Sequence, residues 1–336
     1  MSARRRLVAS AALAAVAALT LVGCSGGTSP LPPQAPPTIV PAAPSEFWVD
    51  PASEAAKQVA QWRKDGRIAD AAQLEKIARQ PVAHWIGSEG NTTAETKGIV
   101  DQAKAGGRTP VLVAYNIPNR DCGQYSSGGA SNDDDYRSFV QQMADGIGGA
   151  KAVVILEPDA LAQTLTKCEG QGEQDGREAL LAGAVKTLSG AGAEVYIDAG
   201  NPGFVTDTGQ LADGLRKSGV DQAGGFALNV SNFQTNDAVV SYGKKVSDQL
   251  GGKKFVIDTS RNGNGSYSGP EQPTWCNPPG RALGTPPTRK TGDPRVAAFL
   301  WIKEPGDSDG DCRGAPSAGD FMPDYALGLA KATKSS

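Results

Sequence analysis

The stretch at residues 153–162, VVILEPDALA, constrains the fold more than any other part of the chain. Its apolar run is rich in β-branched residues and too short for a helix, so it predicts a buried strand. A strand that is apolar on both faces is typical of a parallel sheet covered on both sides. The run ends in Glu157-Pro158-Asp159, and in α/β barrels the chemistry lies at the carboxyl ends of such strands. Asp159 therefore stands where a catalytic acid would be, although it could instead cap the helix predicted at 160–165.

Short apolar runs alternate with longer amphipathic ones along most of the chain. The predicted strands are residues 82–86, 110–115, 152–157, 193–198, 225–230, 254–258 and 297–303. Helical patterns lie between them at 94–105, 135–147, 176–188, 209–218 and 237–250, with 323–333 closing the chain. This alternation predicts a parallel α/β architecture, and a domain of about 290 residues has the size of a barrel. A doubly wound open sheet is the alternative, but no G-x-G-x-x-G follows the first strands to support a dinucleotide fold.

Polar residues, many of them acidic, follow the predicted strands where each strand ends. They are Tyr115 and Asp121 after the second, Asp159 after the third, Asp198 after the fourth, Asn229 and Asn232 after the fifth, Asp258 and Arg261 after the sixth, and Lys303, Asp307 and Asp309 after the seventh. We expect them to converge on one rim, where neighbouring carboxyl groups raise one another's pKa. Carboxylates across a cleft, with aromatic rings to stack on sugars, suit glycoside hydrolysis. The candidate rings are Trp85, Phe204, Trp275 and Trp301, although Trp301 lies inside a strand and fits the core better.

The composition excludes several kinds of site. With 33 Lys and Arg against 36 Asp and Glu, the chain lacks the basic footprint of a nucleic-acid-binding protein. The single histidine, His84, excludes a multi-histidine metal site, and any Ser-His-Asp or Cys-His site would have to use it. Acid and base chemistry is therefore expected to depend on carboxylates, with no metal and no organic cofactor.

Residues 1–23 have the features of an export signal, with a basic start, an apolar stretch and small residues before Cys24. The sequence LVGC at 21–24 resembles a bacterial lipobox, which would make Cys24 a lipid anchor; ordinary secretion after nearby cleavage is the alternative. The proline-rich residues 24–46 indicate a linker ahead of one folded domain at 47–336. We expect an exported monomer, which is either secreted or held at the outer face of a bacterial membrane by the lipid alone.

Export would place the remaining cysteines in an oxidising compartment, where an even number predicts disulfides. Cys122, Cys168, Cys276 and Cys312 permit three pairings. We expect Cys122 to pair with Cys168 and Cys276 with Cys312, because each pair closes a loop of about 40 residues and would stabilise the fold by roughly 3 to 4 kcal/mol.

Two long stretches resemble the signatures of glycoside hydrolase family six, a family of inverting cellulases: residues 113–129, VAYNIPNRDCGQYSSGG, and residues 153–162. Further resemblance lies in YIDAG at 196–200, ALNVSNF at 227–233, VIDTSRNGNG at 256–265, WCNP at 275–278 and WIKEPGDSDG at 301–310. Together these motifs cover nearly all of residues 47–332. The resemblance implies a distorted seven-stranded β/α barrel that hydrolyses β-1,4-glucosidic bonds of cellulose or related glucans with inversion.

The resemblance also implies roles for individual residues. Asp159 matches the general acid that protonates the leaving oxygen, and Asp121 matches the acid that raises the pKa of that residue. Asp309 matches the candidate base, whose role is debated because water can be activated through a chain, and Ser127 matches a position that handles this water. Inversion needs room for the water, so we expect the carboxyl groups of Asp159 and Asp309 to lie roughly 6.5 to 9.5 Å apart or more. The substrate-binding matches are Tyr115 beside the distorted sugar, Trp85, Asp198, Trp275, Lys303 and Asp307, with Asn229 and Arg120 joining them.

Two places depart from the family's pattern. After the fourth predicted strand the chain reads Asn201-Pro202-Gly203-Phe204, where the family often has a histidine and a stacking tryptophan. Binding on the leaving-group side is therefore expected to be weaker or tuned to another glucan. Asp307 stands where a glutamate is usual, and its side chain is one methylene shorter.

The cleft is expected to be open, because only residues 310–320 separate the last motif from the terminal helix. An open cleft favours internal cleavage, as in an endoglucanase, over cellobiohydrolase-type exo action. Two other interpretations are a surface lipoprotein that binds glucan without cleaving it and a hydrolase for another exported polysaccharide. Retention of three matched acids, Asp121, Asp159 and Asp309, argues against the binding protein.

Overall fold

The structure, a computed structural model, describes residues 45–167 and 176–334. The predicted export signal, Cys24, most of the predicted linker and Cys168 lie outside the described residues. Within these two ranges, no helix combines the length and the apolar character needed to cross a membrane.

The described chain forms one sheet of seven parallel strands, each paired with the next in sequence. The strands are β1 His84–Ile86, β2 Val111–Ala114, β3 Ala152–Leu156, β4 Ala193–Asp198, β5 Gly225–Leu228, β6 Lys254–Asp258 and β7 Val296–Leu300. The two edges meet just outside β1 and β7, where Val82 forms a single parallel bridge with Trp301. The predicted distorted β/α barrel is confirmed, with a seam between its first and last strands.

Helices surround the sheet: α1 Glu54–Lys64, α2 Ile68–Ala78, α3 Thr92–Ala105, α4 Asp133–Ile147, α5 Ala160–Thr166, α6 Arg177–Gly190, α7 Thr208–Lys217, α8 Asn236–Gln249 and α9 Pro323–Ala332. Helices α3 to α9 lie where the sequence predicts helices. Helices α1 and α2 are not among the predicted ones. A local signal for α1 exists, because the Ser53 side chain accepts a hydrogen bond from the Ala56 N–H and caps it.

Both faces of the sheet are buried, as the run at β3 predicts. Val153 and Ile155 belong to the inner cluster, whereas Val154 and Leu156 pack in the layer shared with the helices. This two-sided burial is what a parallel sheet with helical crossovers requires. Because all seven strands pair in parallel, their carboxyl ends open on the same rim.

Helices α1, α2 and α9 share a separate apolar cluster that covers the seam. The cluster includes Val59, Trp62, Leu74 and Trp301, and Val82 packs against it. Trp301 is buried, and its indole N–H donates to the Thr285 carbonyl over 2.9 Å, so the core interpretation of this residue is correct. Each large apolar side chain buried here stabilises the closed barrel by about 1.5–3 kcal/mol.

Candidate active site

The carboxyl ends of the strands open into a cavity of about 1160 Å³, larger than the roughly 300–1,000 Å³ usual for small-molecule sites. Among its lining residues are many of those expected from the sequence: Trp85, Tyr115, Arg120, Asp121, Ser127, Asp159, Phe204, Trp275, Lys303, Asp307 and Asp309. Asp198 and Asn229 are fully buried and do not line it.

Asp159 lies at the end of β3 on a backbone held in an uncommon conformation. Both Glu157 and Asp159 have positive φ, 49° and 67°, which costs a non-glycine residue about 1–3 kcal/mol and is maintained only where surrounding contacts impose it. The contact at Asp159 is its backbone N–H, which donates to Asp198 Oδ2 over 2.8 Å. The Asp159 side chain makes no capping hydrogen bond to α5, so the capping interpretation is wrong.

Burial and two neighbouring carboxyl groups favour the protonated form of Asp159. The pKa of Asp159 is raised well above its usual value, first by burial and then by the negative charges of Asp198 and Asp121. Burial also raises the pKa of Asp198 to about 7, and Asp198 Oδ1 has no hydrogen-bond partner among the described residues. Burial raises the pKa of Asp121 as well, against the opposing hydrogen bonds from Ser126 and Gln163. The group therefore keeps at least one proton near neutral pH.

The loop after β2 carries Asp121 and is fastened from two sides. Arg120 lies 4.4 Å from the Tyr115 ring and donates to the carbonyls of Tyr115 and Ser126, at 2.7 and 2.8 Å, so it links the start of the loop to its middle. The buried carboxylate of Glu157 accepts the backbone N–H groups of Asn116 and Ile117, both at 2.9 Å. Arg120 thus holds the loop in addition to lining the cavity, and Glu157, which the sequence analysis does not assign, ties the loop to β3.

Asp309 lies in a different electrostatic environment. Its two oxygens accept hydrogen bonds from the Arg261 guanidinium at 2.9 and 2.8 Å, and Oδ2 also accepts the Asn277 N–H at 2.9 Å. Lys303 Nζ lies 3.9 Å from Oδ1. Arg261 is fully buried and packs 4.5 Å from the Phe233 ring. Arg261 is expected from the sequence only at a strand end, with no role in the site, yet it is the main partner of Asp309.

A disulfide between Cys276 and Cys312 supports this environment, with the Cα atoms 6.4 Å apart. It joins the residue before Asn277 to the segment that follows Asp309, so both partners of the Asn277–Asp309 hydrogen bond are adjacent to the cross-link. The predicted pairing of these two cysteines is confirmed. The pairing of Cys122 with Cys168 stays a prediction, because Cys168 lies outside the described residues.

Two residues expected to bind substrate are placed elsewhere by the structure. Asn229 is fully buried and bonds to the backbone of Gln234 and Asp258, which shapes the turn after β5. Asp198 lies under Asp159 and accepts backbone N–H groups from Asp159 and Gly200. The expectation of direct substrate contact is therefore corrected for both, since neither side chain reaches the cavity.

Aromatic rings line the cavity. Trp85 donates its indole N–H to the Ile302 carbonyl over 2.8 Å and meets the edge of Tyr115 at 4.9 Å. Trp275 and Tyr125, 37% and 39% exposed, contact each other edge to face at 5.7 Å. Tyr125, which the sequence analysis does not single out, packs on Gly310, where a Cβ atom would lie 2.6 Å from it. Such rings provide flat apolar faces with polar edges, a combination suited to sugars.

The departure after β4 also shapes the wall. Asn201 is buried, and its Oδ1 accepts the Gly203 N–H over 2.9 Å, which makes a tight turn that presents Phe204. Phe204 is half-buried, because its ring packs partly against the core as well as lining the cavity. Less of its face is free for a sugar than in an exposed ring. The expected weaker or altered binding on this side stays a prediction.

Comparisons with known proteins agree with this geometry. The model of glycosyl hydrolases family 6 matches residues 42–333. Endoglucanase A of Cellulomonas fimi is 45% identical over 291 residues, which is 85% of this chain and 61% of that protein. Endoglucanase A of Thermobispora bispora is 43% identical over 293 residues, 85% of this chain and 62% of that protein. The chain thus spans about three fifths of the length of these relatives.

A solved structure is similar over nearly its whole length. It is the endoglucanase Cel6 from Mycobacterium tuberculosis in complex with methyl-cellobiosyl-4-deoxy-4-thio-β-D-cellobioside. The similarity has a TM-score of 0.78 at 41% sequence identity, and it covers 86% of this chain and 98% of that one.

Proposed function

The chain belongs to glycosyl hydrolase family 6, and on that basis we propose that it hydrolyses internal β-1,4-glucosidic bonds of cellulose or related β-glucans with inversion. The observation that carries this proposal is the state of Asp159. It lines the cavity on a fixed backbone, and the pKa of its carboxyl group is raised by burial, Asp198 and Asp121. A carboxyl group that stays protonated near neutral pH can donate its proton to the leaving glycosidic oxygen.

Positioning of the attacking water is the part of the reaction that we assign to Asp309. Its oxygens already accept hydrogen bonds from Arg261 and Asn277, which limits its capacity to orient a water directly. We therefore propose that Asp309 acts as a fixed negative charge and that the water is positioned through intervening groups, with Ser127 exposed in the cavity as one of them. The expected separation between the carboxyl groups of Asp159 and Asp309 is part of this proposal.

Endo action is supported by two observations. The similar proteins from Cellulomonas fimi, Thermobispora bispora and Mycobacterium tuberculosis are all named endoglucanases. The segment between Asp309 and α9 is short, and Tyr125 of the loop after β2 contacts Trp275 of the loop after β6 edge to face at 5.7 Å. Exo action would require a longer roof over the cavity. A protein that only binds glucan would not need Asp159 beside two further carboxyl groups.

We propose cello-oligosaccharides and β-glucan chains as the substrates of a monomeric enzyme. The export signal and the lipobox-like sequence at Cys24 support a cell-surface lipoprotein on the outer face of the membrane, with secretion as the alternative. Mass spectrometry of the membrane fraction would decide between them, because a diacylated Cys24 at the mature N-terminus is expected only for the lipoprotein.

The decisive experiment is proton NMR of cellopentaose hydrolysis by the full chain, with Asp159→Asn as the matched variant. We expect the α-anomer to appear first at the new reducing ends and hydrolysis to fall by about 10²–10⁴-fold in the variant, because the proton donor is lost. Initial appearance of the β-anomer, or absence of products from the wild type, would refute the proposal. A parallel viscosity assay on a soluble cellulose derivative tests endo action, which lowers viscosity early relative to the reducing ends released.

A further inference from the structure

A pair of carboxyl groups, separate from Asp159, Asp198 and Asp121, lines the cavity after β7. Glu304 and Asp307 both face the cavity, and the sequence analysis gives Glu304 no role. Asp307 Oδ1 is buried without a hydrogen-bond partner, and across the described part of the chain no hydrogen bond or ion pair reaches the Glu304 carboxyl group. Two acidic side chains with unused hydrogen-bonding capacity therefore stand in the wall of the cavity.

The surroundings of Glu304 are mainly acidic. Asp307 follows it in the same loop, and Asp50 and Glu54 at the start of α1 add their charges, while Lys303 is the cation that opposes them. Burial, reinforced by Asp307, raises the pKa of Glu304 to about 8. Burial raises the pKa of Asp307 to about 6 against the opposing charges of Lys303 and Arg261. Glu304 therefore retains its proton to a higher pH than Asp307 does.

Glu304 is also close to an aromatic platform. The indole N–H of Trp85 bonds to the Ile302 carbonyl, two residues before Glu304 in the chain, and both Trp85 and Glu304 line the cavity. An aromatic face with convergent polar groups beside it is the usual composition of a sugar-binding wall.

From this placement we propose that Glu304 is a further substrate-binding residue, which hydrogen-bonds a glucan hydroxyl group as a neutral carboxyl group. The inference rests on the proposed function, since it assumes that a β-glucan chain occupies the cavity. A neutral carboxyl group can both donate and accept a hydrogen bond, as a sugar hydroxyl can, whereas the ionised form only accepts.

A pH dependence of binding follows. A bound sugar removes water from Glu304 and so disfavours its ionised form, which raises its pKa in the complex above the value in the free protein. Affinity is then constant below about pH 8 and falls above it, by up to about tenfold per pH unit. His84 also lines the cavity, but burial lowers its pKa below the usual value, so it is neutral throughout this range. Lys303, whose pKa burial also lowers, is the competing source of an alkaline transition.

Calorimetric titration of cellopentaose into the full chain carrying Asp159→Asn tests the inference without turnover. We expect the Kd to rise about tenfold between pH 7.5 and pH 9.5 in this parent. Adding Glu304→Gln, which keeps a neutral donor and acceptor, should leave the Kd nearly constant over the same range. Adding Glu304→Ala should weaken binding at pH 7.5, where Glu304 is neutral, and should remove most of the pH dependence. Glu89→Gln, at an exposed position in the loop after β1, is the matched control and should retain the pH dependence of the parent.

The same pH dependence with Glu304→Gln as in the parent would overturn the inference and assign the transition to Lys303 or another group. Absence of cellopentaose binding to the parent at pH 7 would overturn it as well. Failure of the proposed hydrolysis can be distinguished from failure of this inference, because hydrolysis is measured separately as products released by the wild type. Binding that follows Glu304 in a chain that releases no products would support the inference and refute hydrolysis.

Discussion

Two groups of carboxyl side chains on the same rim differ in what surrounds them. Asp159 has Asp198 and Asp121 as its charged neighbours, and the described residues provide no ion pair to any of the three. Asp309 has Arg261 in a two-fold hydrogen-bonded ion pair and Lys303 close by. Identical side chains thus lie among opposite charges, with acidic neighbours around Asp159 and basic neighbours around Asp309. Their environments, rather than their residue type, divide the roles of proton donor and fixed negative charge.

The two groups are also held in place by different means. Asp159 is held by the hydrogen bond from its backbone N–H to the buried Asp198 carboxyl group, with positive φ at Glu157 and Asp159. Asp309 is held by side-chain ion pairs, by Asn277 and by the Cys276–Cys312 cross-link. The position of Asp159 thus depends on backbone contacts, whereas the position of Asp309 depends on cations and a covalent cross-link.

The largest effect is expected from removing Arg261, the cation that is hydrogen-bonded to Asp309. Arg261→Leu would leave Asp309 as a buried charge without its partner, and we expect a loss of about 3–5 kcal/mol in the free energy of unfolding. Urea denaturation measures it. Arg261→Leu combined with Asp309→Asn removes the unpaired charge and should recover a large part of the loss. If the single variant is as stable as the wild type, the ion pair does not hold this region.

Much of this arrangement could be predicted from local sequence. The strands are continuous apolar runs, and the segments that follow them lie toward one rim because the sheet is parallel. Asp121, Asp159 and Asp309 are in such segments. Helices α1 and α2 were not predicted because their apolar residues have a partner only at the seam, where β7 residues from far along the chain arrive. Tertiary packing, rather than a strong local pattern, stabilises them.

The support of the site could not be predicted in the same way. Arg261 and Asp309 are 48 residues apart in sequence, and nothing local indicates that they pair. Asp198 ends β4 and Asn229 directly follows β5, yet both are buried, because backbone groups of the adjacent loops hydrogen-bond to their side chains. The sequence therefore predicts which residues lie near the rim, but it does not predict which of their side chains face the cavity.

The next largest effect is expected from removing the Cys276–Cys312 disulfide, which supports the surroundings of Asp309 and not those of Asp159. Cys276→Ser with Cys312→Ser should lower the free energy of unfolding by about 3 kcal/mol, as expected for a loop of this length. The alkaline limb of the pH profile of kcat/KM should not move, because the Asp159 group makes no contact with the disulfide. Thermal unfolding and pH profiles at a permissive temperature measure both. A shifted alkaline limb would show that the two groups are coupled.

The smallest effect is expected from a substitution next to Asp159 that leaves the surroundings of Asp309 unchanged. Asp121→Asn removes a negative charge that favours the protonated form of Asp159, so the pKa of Asp159 falls and its proton is lost at a lower pH. The alkaline limb of kcat/KM for cellopentaose should move toward acid by about one pH unit, equivalent to about 1.4 kcal/mol. Asp133→Asn, an exposed acid on α4, is the matched control and should leave the limb in place. An unmoved limb with Asp121→Asn would mean that burial and Asp198 alone keep Asp159 protonated, and the acid group would then consist of two carboxyl groups rather than three.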